Sequence, residues 1–221
     1  MLNPNILMRK AFLLLLSIVF SGIVAGAQEN SVRFSINVGP QWNSKIGASL
    51  GADANIPFGC SRWSFEPGVY WSFRNATYDY SHNQTKEEYN DKLHYLNVPL
   101  RFAACIAGSE GGAFNMSILF GPYFAYGLSG NSHCMVTEDG IVTKYKVGAF
   151  SDEGRLESRF DYGLNFGIAA IVKQHVKIGA FTEIGLKNIY KPQSFFDDIL
   201  GDLVGVTKIN IGAGISVGYQ F

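Results

Sequence analysis

Charge is scarce in this 221-residue chain: Asp, Glu, Lys and Arg make up 16% of it and the formal net charge is zero. So sparse and balanced a set excludes the basic field that recruits nucleic acid and the acidic field that concentrates cations. Cysteine is nearly missing too. Cys60, Cys105 and Cys134 are too few for a disulfide framework and match no metal-site spacing, so at most one bridge forms. After residue 27 no run reaches the roughly 18 uninterrupted apolar residues of a membrane helix. What is abundant is apolar and small: hydrophobic residues account for 47% and there are 25 glycines, which argues against a disordered chain.

Residues 1–27 read as an export signal, with Arg9 and Lys10 as the charged region, Ala11 to Val24 as the apolar region and Ala25-Gly26-Ala27 as the cleavage site. No cysteine follows that site, so no lipid anchor is indicated. The expected division is a signal peptide over 1–27 and a single barrel domain over 28–221.

From residue 31 onward the dominant period is two, which sends alternate side chains to opposite faces of a strand. At the C-terminus Ile209, Ile211, Ala213, Ile215, Val217, Tyr219 and Phe221 share one face, and Asn210, Gly212, Gly214, Ser216, Gly218 and Gln220 the other. Seven earlier segments repeat the pattern: Val32–Trp42, Ile46–Ile56, Arg62–Arg74, Leu93–Ala104, Phe114–Leu128, Phe160–Val172 and Val176–Lys187. Pro40, Pro67, Pro99 and Pro122 lie inside these runs and cannot donate a ladder hydrogen bond, so local gaps are expected beside them. Short connections near 57–61, 106–112 and 173–175 alternate with long polar ones at 75–92, 129–157 and 188–207, the layout of a transmembrane barrel with tight periplasmic turns and longer outer loops. The expected fold is all-β: an eight-stranded antiparallel transmembrane up-and-down β-barrel in the cell outer membrane.

A soluble lipocalin-like barrel alternates in the same way, with its apolar face turned inward. The content of the faces separates the two. A solvated exterior is about 25–35% charged, whereas the polar face here is mainly Gly, Ser and Asn, as suits a narrow lumen. The apolar face carries no charged residue and has aromatics such as Trp42, Trp63, Trp71, Tyr126 and Tyr162 near strand ends, where a bilayer interface favours them.

Phe65-Glu66-Pro67-Gly68-Val69-Tyr70 and Leu93-His94-Tyr95-Leu96-Asn97-Val98-Pro99-Leu100 resemble strands of the PorT-like outer-membrane β-barrel family, of the OmpA-type eight-stranded class found in Bacteroidetes-type bacteria. Gly121-Pro122-Tyr123, Gly185-Leu186-Lys187-Asn188-Ile189 and the terminal Gly218-Tyr219-Gln220-Phe221 extend the resemblance over essentially the whole mature chain. It implies a barrel fold, is nearly silent on activity, and includes a branch implicated in protein secretion. It also implies that Tyr219 and Phe221, ending the last strand on its lipid-facing phase, are the assembly signal read by the barrel-insertion machinery.

Chemistry-bearing residues are sparse. Asp79, Ser81 and His82 lie near one another but read as a solvated loop rather than a nucleophilic triad. His82, His94, His133 and His175 lack the paired spacing of a metal site. Glu87, Glu88, Glu138, Asp139, Asp197 and Asp198 form no calcium ladder and are expected to hydrate loops beside lipopolysaccharide. Arg33, Asp53, Glu66, Arg101, Lys177 and Glu183 project inward, either lining a permeation path or plugging the barrel; eight strands favour the plug, since their interior is about filled by side chains. Glu66 and Arg101 are expected to form an interior charge pair. Cys60 and Cys105 fall at one rim of neighbouring strands, where a bridge needs Cα atoms within ~7 Å; a bridge and two free thiols both stay open.

The reading is therefore non-enzymatic, with no cofactor and no metal, in a structural or surface-interaction role with a closed lumen. Its expected partners are outer-membrane lipid and lipopolysaccharide, the insertion machinery, and an envelope or secretion partner at the outer loops, with no nucleic acid. A transport or secretion accessory and a lipid-modifying enzyme are the alternatives.

Overall fold

The computed structural model describes Lys10 and residues 32–59, 62–82, 85–109, 112–138, 140–152, 154, 156–187 and 210–221. The signal segment, apart from Lys10, and the connection at 188–207 lie outside these residues. Nine strands are described: β1 (Arg33–Trp42), β2 (Lys45–Pro57), β3 (Trp63–His82), β4 (Thr85–Gly108), β5 (Phe114–Glu138), β6 (Ile141–Gly148), β7 (Phe160–Val172), β8 (Val176–Gly185) and β9 (Ile211–Gln220). Every pairing is antiparallel. The order runs β1-β2-β3-β4-β5-β7-β8-β9 and returns to β1, so eight strands close a ring while β6 pairs with β5 outside it.

The wall is inside-out relative to a soluble barrel. On β1, Phe34, Ile36 and Val38 are 42, 52 and 57% exposed, while the intervening Ser35 and Asn37 are 1 and 3% exposed. The apolar phase of β9 is likewise outward, with Ile211, Ile215, Val217 and Tyr219 all exposed and Gln220 buried. An apolar belt of this extent around a whole molecule needs a lipid solvent. The lipocalin-like alternative fails on this point.

Two connections expected to be long polar loops are strands instead. β3 and β4 continue past the belt as a hairpin in which Asn75↔Lys92 through His82↔Thr85 stay in register. β5 continues to Glu138 and pairs with β6 from Asn131↔Gly148 to Glu138↔Ile141. These pieces form a four-stranded sheet, β3-β4-β5-β6, projecting beyond the barrel at the end away from the chain's C-terminus. The polarity that read as loop is that of a strand with no lipid on either face. Its β-formers, Thr77, Tyr78, Tyr89, Val136, Thr137, Val142, Thr143 and Tyr145, carry the propensity. At the opposite end, connections are tight: Lys173 and Gln174, at φ 51° and 67°, occupy the two left-handed positions of a turn closed by His175 N–H on Val172 C=O at 3.3 Å.

Register pairs break off between Val38 and Gln41 in β1–β9, between Pro67 and Tyr70 in β3–β4, and between Pro99 and Phe102 in β4–β5. Each gap adjoins a proline that has no N–H to give. Pro122 lies in the same β4–β5 gap, which skips Gly121 and Pro122, while its other ladder, to Leu164 on β7, is unbroken.

Candidate functional site

The period-two pattern delivers the polar residues of all eight barrel strands to one lumen, where they separate into two ionic clusters. In the cluster nearer the C-terminal end, Glu66 on β3 and Arg101 on β4 are direct register partners, and Arg101 Nη2 donates to Glu66 Oε1 at 2.6 Å. The pair is half of a quartet. Lys177 on β8 reaches across the lumen to Glu66 Oε2 at 2.9 Å and to Asp53 Oδ1 at 2.8 Å, and Arg101 Nη2 lies 3.4 Å from Asp53 Oδ2. Two anions and two cations balance, and all four are buried. Asp53 also accepts from Asn37 Nδ2 at 2.8 Å and from the Tyr70 hydroxyl. So many donors are what allow a carboxylate to remain charged away from water.

The second cluster joins Glu183, expected to project inward, to Arg74 and Asp161, which the sequence pattern did not single out. Arg74, at the top of the barrel part of β3, donates from Nη1 to Asp161 Oδ2 at 2.8 Å and from Nη2 to Glu183 Oε2 at 3.1 Å. Among the described residues one cation faces two carboxylates here, and neutral donors make up the difference. Asn97 Nδ2 and Asn165 Nδ2 reach Glu183 Oε1 at 2.6 and 3.2 Å; the Tyr123 hydroxyl and Asn210 Nδ2 reach Asp161 Oδ2 at 3.1 and 3.0 Å. The Arg74 guanidinium also lies 4.6 Å from the centroid of the Tyr95 ring. A phase signal existed: Arg74 shares the inward register of Tyr70 and Ser72, and Asp161 that of Asn165.

Small residues opposite large ones fill the rest. A Cβ on Gly68 would lie 2.6 Å from the Tyr70 ring, and one on Gly214 would lie 2.6 Å from the Phe181 ring. Voids lined by described residues between and beside the clusters measure about 30, 20 and 10 Å³, room for isolated waters. Over the Arg74 cluster sits an apolar lid in which Leu93, Tyr95, Tyr123, Ala125, Ala149 and Leu156 are buried together, with Phe150 packed edge-on against Tyr95 at 6.0 Å. Ala149, Phe150 and Leu156 belong to the connection after β6, which was expected to be solvated.

The remaining candidates are scattered. Asp79, Ser81 and His82 stand in β3 rather than a loop, opposite Glu88, Lys86 and Thr85. His94 stacks on Trp71 at 5.6 Å in the aromatic girdle, and His175 stacks on Tyr219 at 5.2 Å at the other end. No group of metal-ligating side chains is found among the described residues. Cys105 and Cys134 are buried as reduced thiols, and Cys134 lies in β5, not in a loop. Cys60 lies outside the described residues. Tyr219 and Phe221 are both exposed on the lipid phase with their rings 5.1 Å apart edge-to-face, and Phe221 N–H donates to Phe34 C=O at 2.8 Å. Deleting Phe221 removes the last bond of the ladder between β9 and β1 together with the terminal lipid-facing aromatic. The expected result is a marked drop in folded barrel in the outer membrane, measured as the heat-modifiable band on gels of membrane fractions.

Solved structures resembling the chain include Ail, the attachment invasion locus protein of Yersinia pestis (11% identity, 86% of this chain and 97% of that one, TM-score 0.34). Others are a major outer membrane protein from Thermus thermophilus (13% identity, 86% and 99%, TM-score 0.43) and CarO of Acinetobacter baumannii (8% identity, 84% and 97%, TM-score 0.42). No curated protein sequence matches significantly. Residues 16–191 match the family described as outer membrane protein beta-barrel domain. With that match over most of its length, a closed eight-stranded ring and a lipid-facing belt, the chain belongs to the outer membrane β-barrel domain family.

Proposed function

We propose that the protein is a non-enzymatic, closed barrel that anchors a projecting sheet at the cell surface, where it makes structural or surface contacts. One observation carries this reading: the lumen is spanned wall to wall by the Asp53–Glu66–Arg101–Lys177 quartet and the Arg74–Asp161–Glu183 triad, with the Ala149–Leu156 lid above them. A solute entering would have to break buried, multiply bonded ion pairs, which costs several kcal/mol per ion left unpaired (about 3–5). The chemistry open to a partner therefore lies on the outside of the extension. The short connections then face the periplasm and the extension stands outside the cell. Within the outer membrane barrel family, the motifs at Phe65–Tyr70 and Leu93–Leu100 favour the PorT-like branch.

The purified protein reconstituted in planar bilayers is expected to show no stable single-channel steps. Reproducible conductance that disappeared on enlarging Gly214, whose Cβ would press on Phe181, would instead establish transport. Altered lipid A mass spectra on deleting the gene would establish a lipid-modifying enzyme.

A further inference from the structure

The outward face of the extension continues the lipid-facing side of β3 and β4 and, past the register shift that skips Leu128, of β5, and its composition changes abruptly one rung above the girdle. The last belt rung holds Phe73 and His94, whose rings lie 5.1 Å apart. The next rung reads Lys45, Asn75, Lys92 and Asn131 across β2 to β5. Above it come Thr77, Asn90, His133 and Lys146, then Asp79, Glu88, Met135 and Lys144. Lys45, Lys92, Lys144 and Lys146 are all exposed. One of the two acids, Glu88, is engaged by Lys86 at 2.6 Å. Lys45, His133, Lys144 and Lys146 line a groove of about 480 Å³ together with Thr77, Asn90 and the acid Glu88. A chain with no net charge thus collects four lysines on one side, besides the Lys86 that pairs with Glu88, immediately beyond the level where the bilayer's apolar core must end.

We propose that this face docks the phosphorylated headgroup of outer-leaflet glycolipid, with Lys45, Lys92, Lys144 and Lys146 meeting its phosphates and the Thr77 and Asn90 side chains meeting its sugar hydroxyls. Two features select this occupant. The face is continuous with the lipid-facing belt on the same strands, so the molecules nearest to it are the lipids themselves. Its cations are spread over several rungs and strands, about 5 Å per strand and 7 Å per rung on one face, which suits a headgroup with several anionic groups better than one small ion. The inference rests on the extension lying outside the cell.

The test uses the full mature barrel in detergent micelles, titrated with bis-phosphorylated lipid A and with its dephosphorylated form and read by native mass spectrometry. A lysine near an anionic lipid surface contributes about fivefold in affinity. The wild type is therefore expected to prefer the phosphorylated lipid by at least about tenfold. A variant with Lys45→Gln, Lys92→Gln, Lys144→Gln and Lys146→Gln should lose that preference, while Lys173→Gln, in the turn at the opposite end, should keep it. Equal wild-type binding of the two lipids, or an unchanged preference in the four-site variant, would overturn the proposal. Should that variant not fold, Lys92→Gln and Lys146→Gln singly carry the same comparison, each losing about fivefold. Protease cleavage of the extension in intact cells reports its orientation separately, so failure of that reading is distinguishable from failure of the lipid contact.

Discussion

Arg74→Met is expected to be the most damaging single substitution in the barrel. Among the described residues Arg74 is the one cation bonded to both Asp161 and Glu183, at 2.8 and 3.1 Å, and all three side chains are buried. Its removal leaves two carboxylates with, among the described residues, only amide and hydroxyl donors, from Asn97, Asn165, Asn210 and Tyr123. Breaking a buried pair by deleting one partner costs about 3–5 kcal/mol, and here one deletion strips two anions. The midpoint of urea unfolding in micelles should fall steeply, with a smaller heat-modifiable fraction. Glu183→Gln should behave differently. It leaves a balanced Arg74–Asp161 pair and an amide in place of the surplus carboxylate, so its cost should stay near about 1 kcal/mol, and it should rescue part of the Arg74→Met loss. An Arg74→Met barrel unfolding at the wild-type midpoint would refute the assignment of the triad as a structural centre.

The second large effect belongs to Glu66 and Arg101. Arg101→Met leaves Asp53 and Glu66 sharing Lys177 alone, and Glu66→Gln leaves Asp53 facing two cations. Each single change upsets a balanced quartet and should cost about 3–5 kcal/mol. Together they leave Asp53 and Lys177 as an intact pair at 2.8 Å, so the double variant should be more stable than the sum of the singles implies, with a coupling of about 1–3 kcal/mol. Strict additivity in the double-mutant cycle would show that the two side chains do not act as a unit. Lys177→Met tests the quartet from the far wall and should resemble Arg101→Met in size, since it also leaves two anions with one cation.

Several features are legible in the sequence because each rests on alternation along one chain. The phase of β9, from Ile211 to Phe221, could be read directly, since lipid on one side and a crowded lumen on the other leave no position where apolar and polar residues exchange. The β7 segment was legible to the residue, Phe160–Val172, because a tight turn ends it at Lys173. Glu66 and Arg101 could be set side by side by counting inward positions from a common rim. The extension could not be read this way. Counting apolar residues finds strands that touch lipid, and above the membrane neither face of β3, β4, β5 or β6 does.

What the sequence by itself determined is the ring: alternation, the turns at one end and the aromatics at strand ends specify an eight-stranded barrel with its polar face inward, because that ordering is local and repeats on every strand. Only the tertiary structure decided which inward charges meet. Lys177 bonds to Asp53 and Glu66 across 124 and 111 positions of chain, and Arg74 to Asp161 and Glu183 across 87 and 109. Which residues meet over such separations is set by strand tilt, stagger and closure of the wall, which no single strand encodes. The lid likewise needed the barrel first: Ala149, Phe150 and Leu156 read as part of a polar loop until the rings of Tyr95 and Tyr123 present an apolar mouth for them to cover.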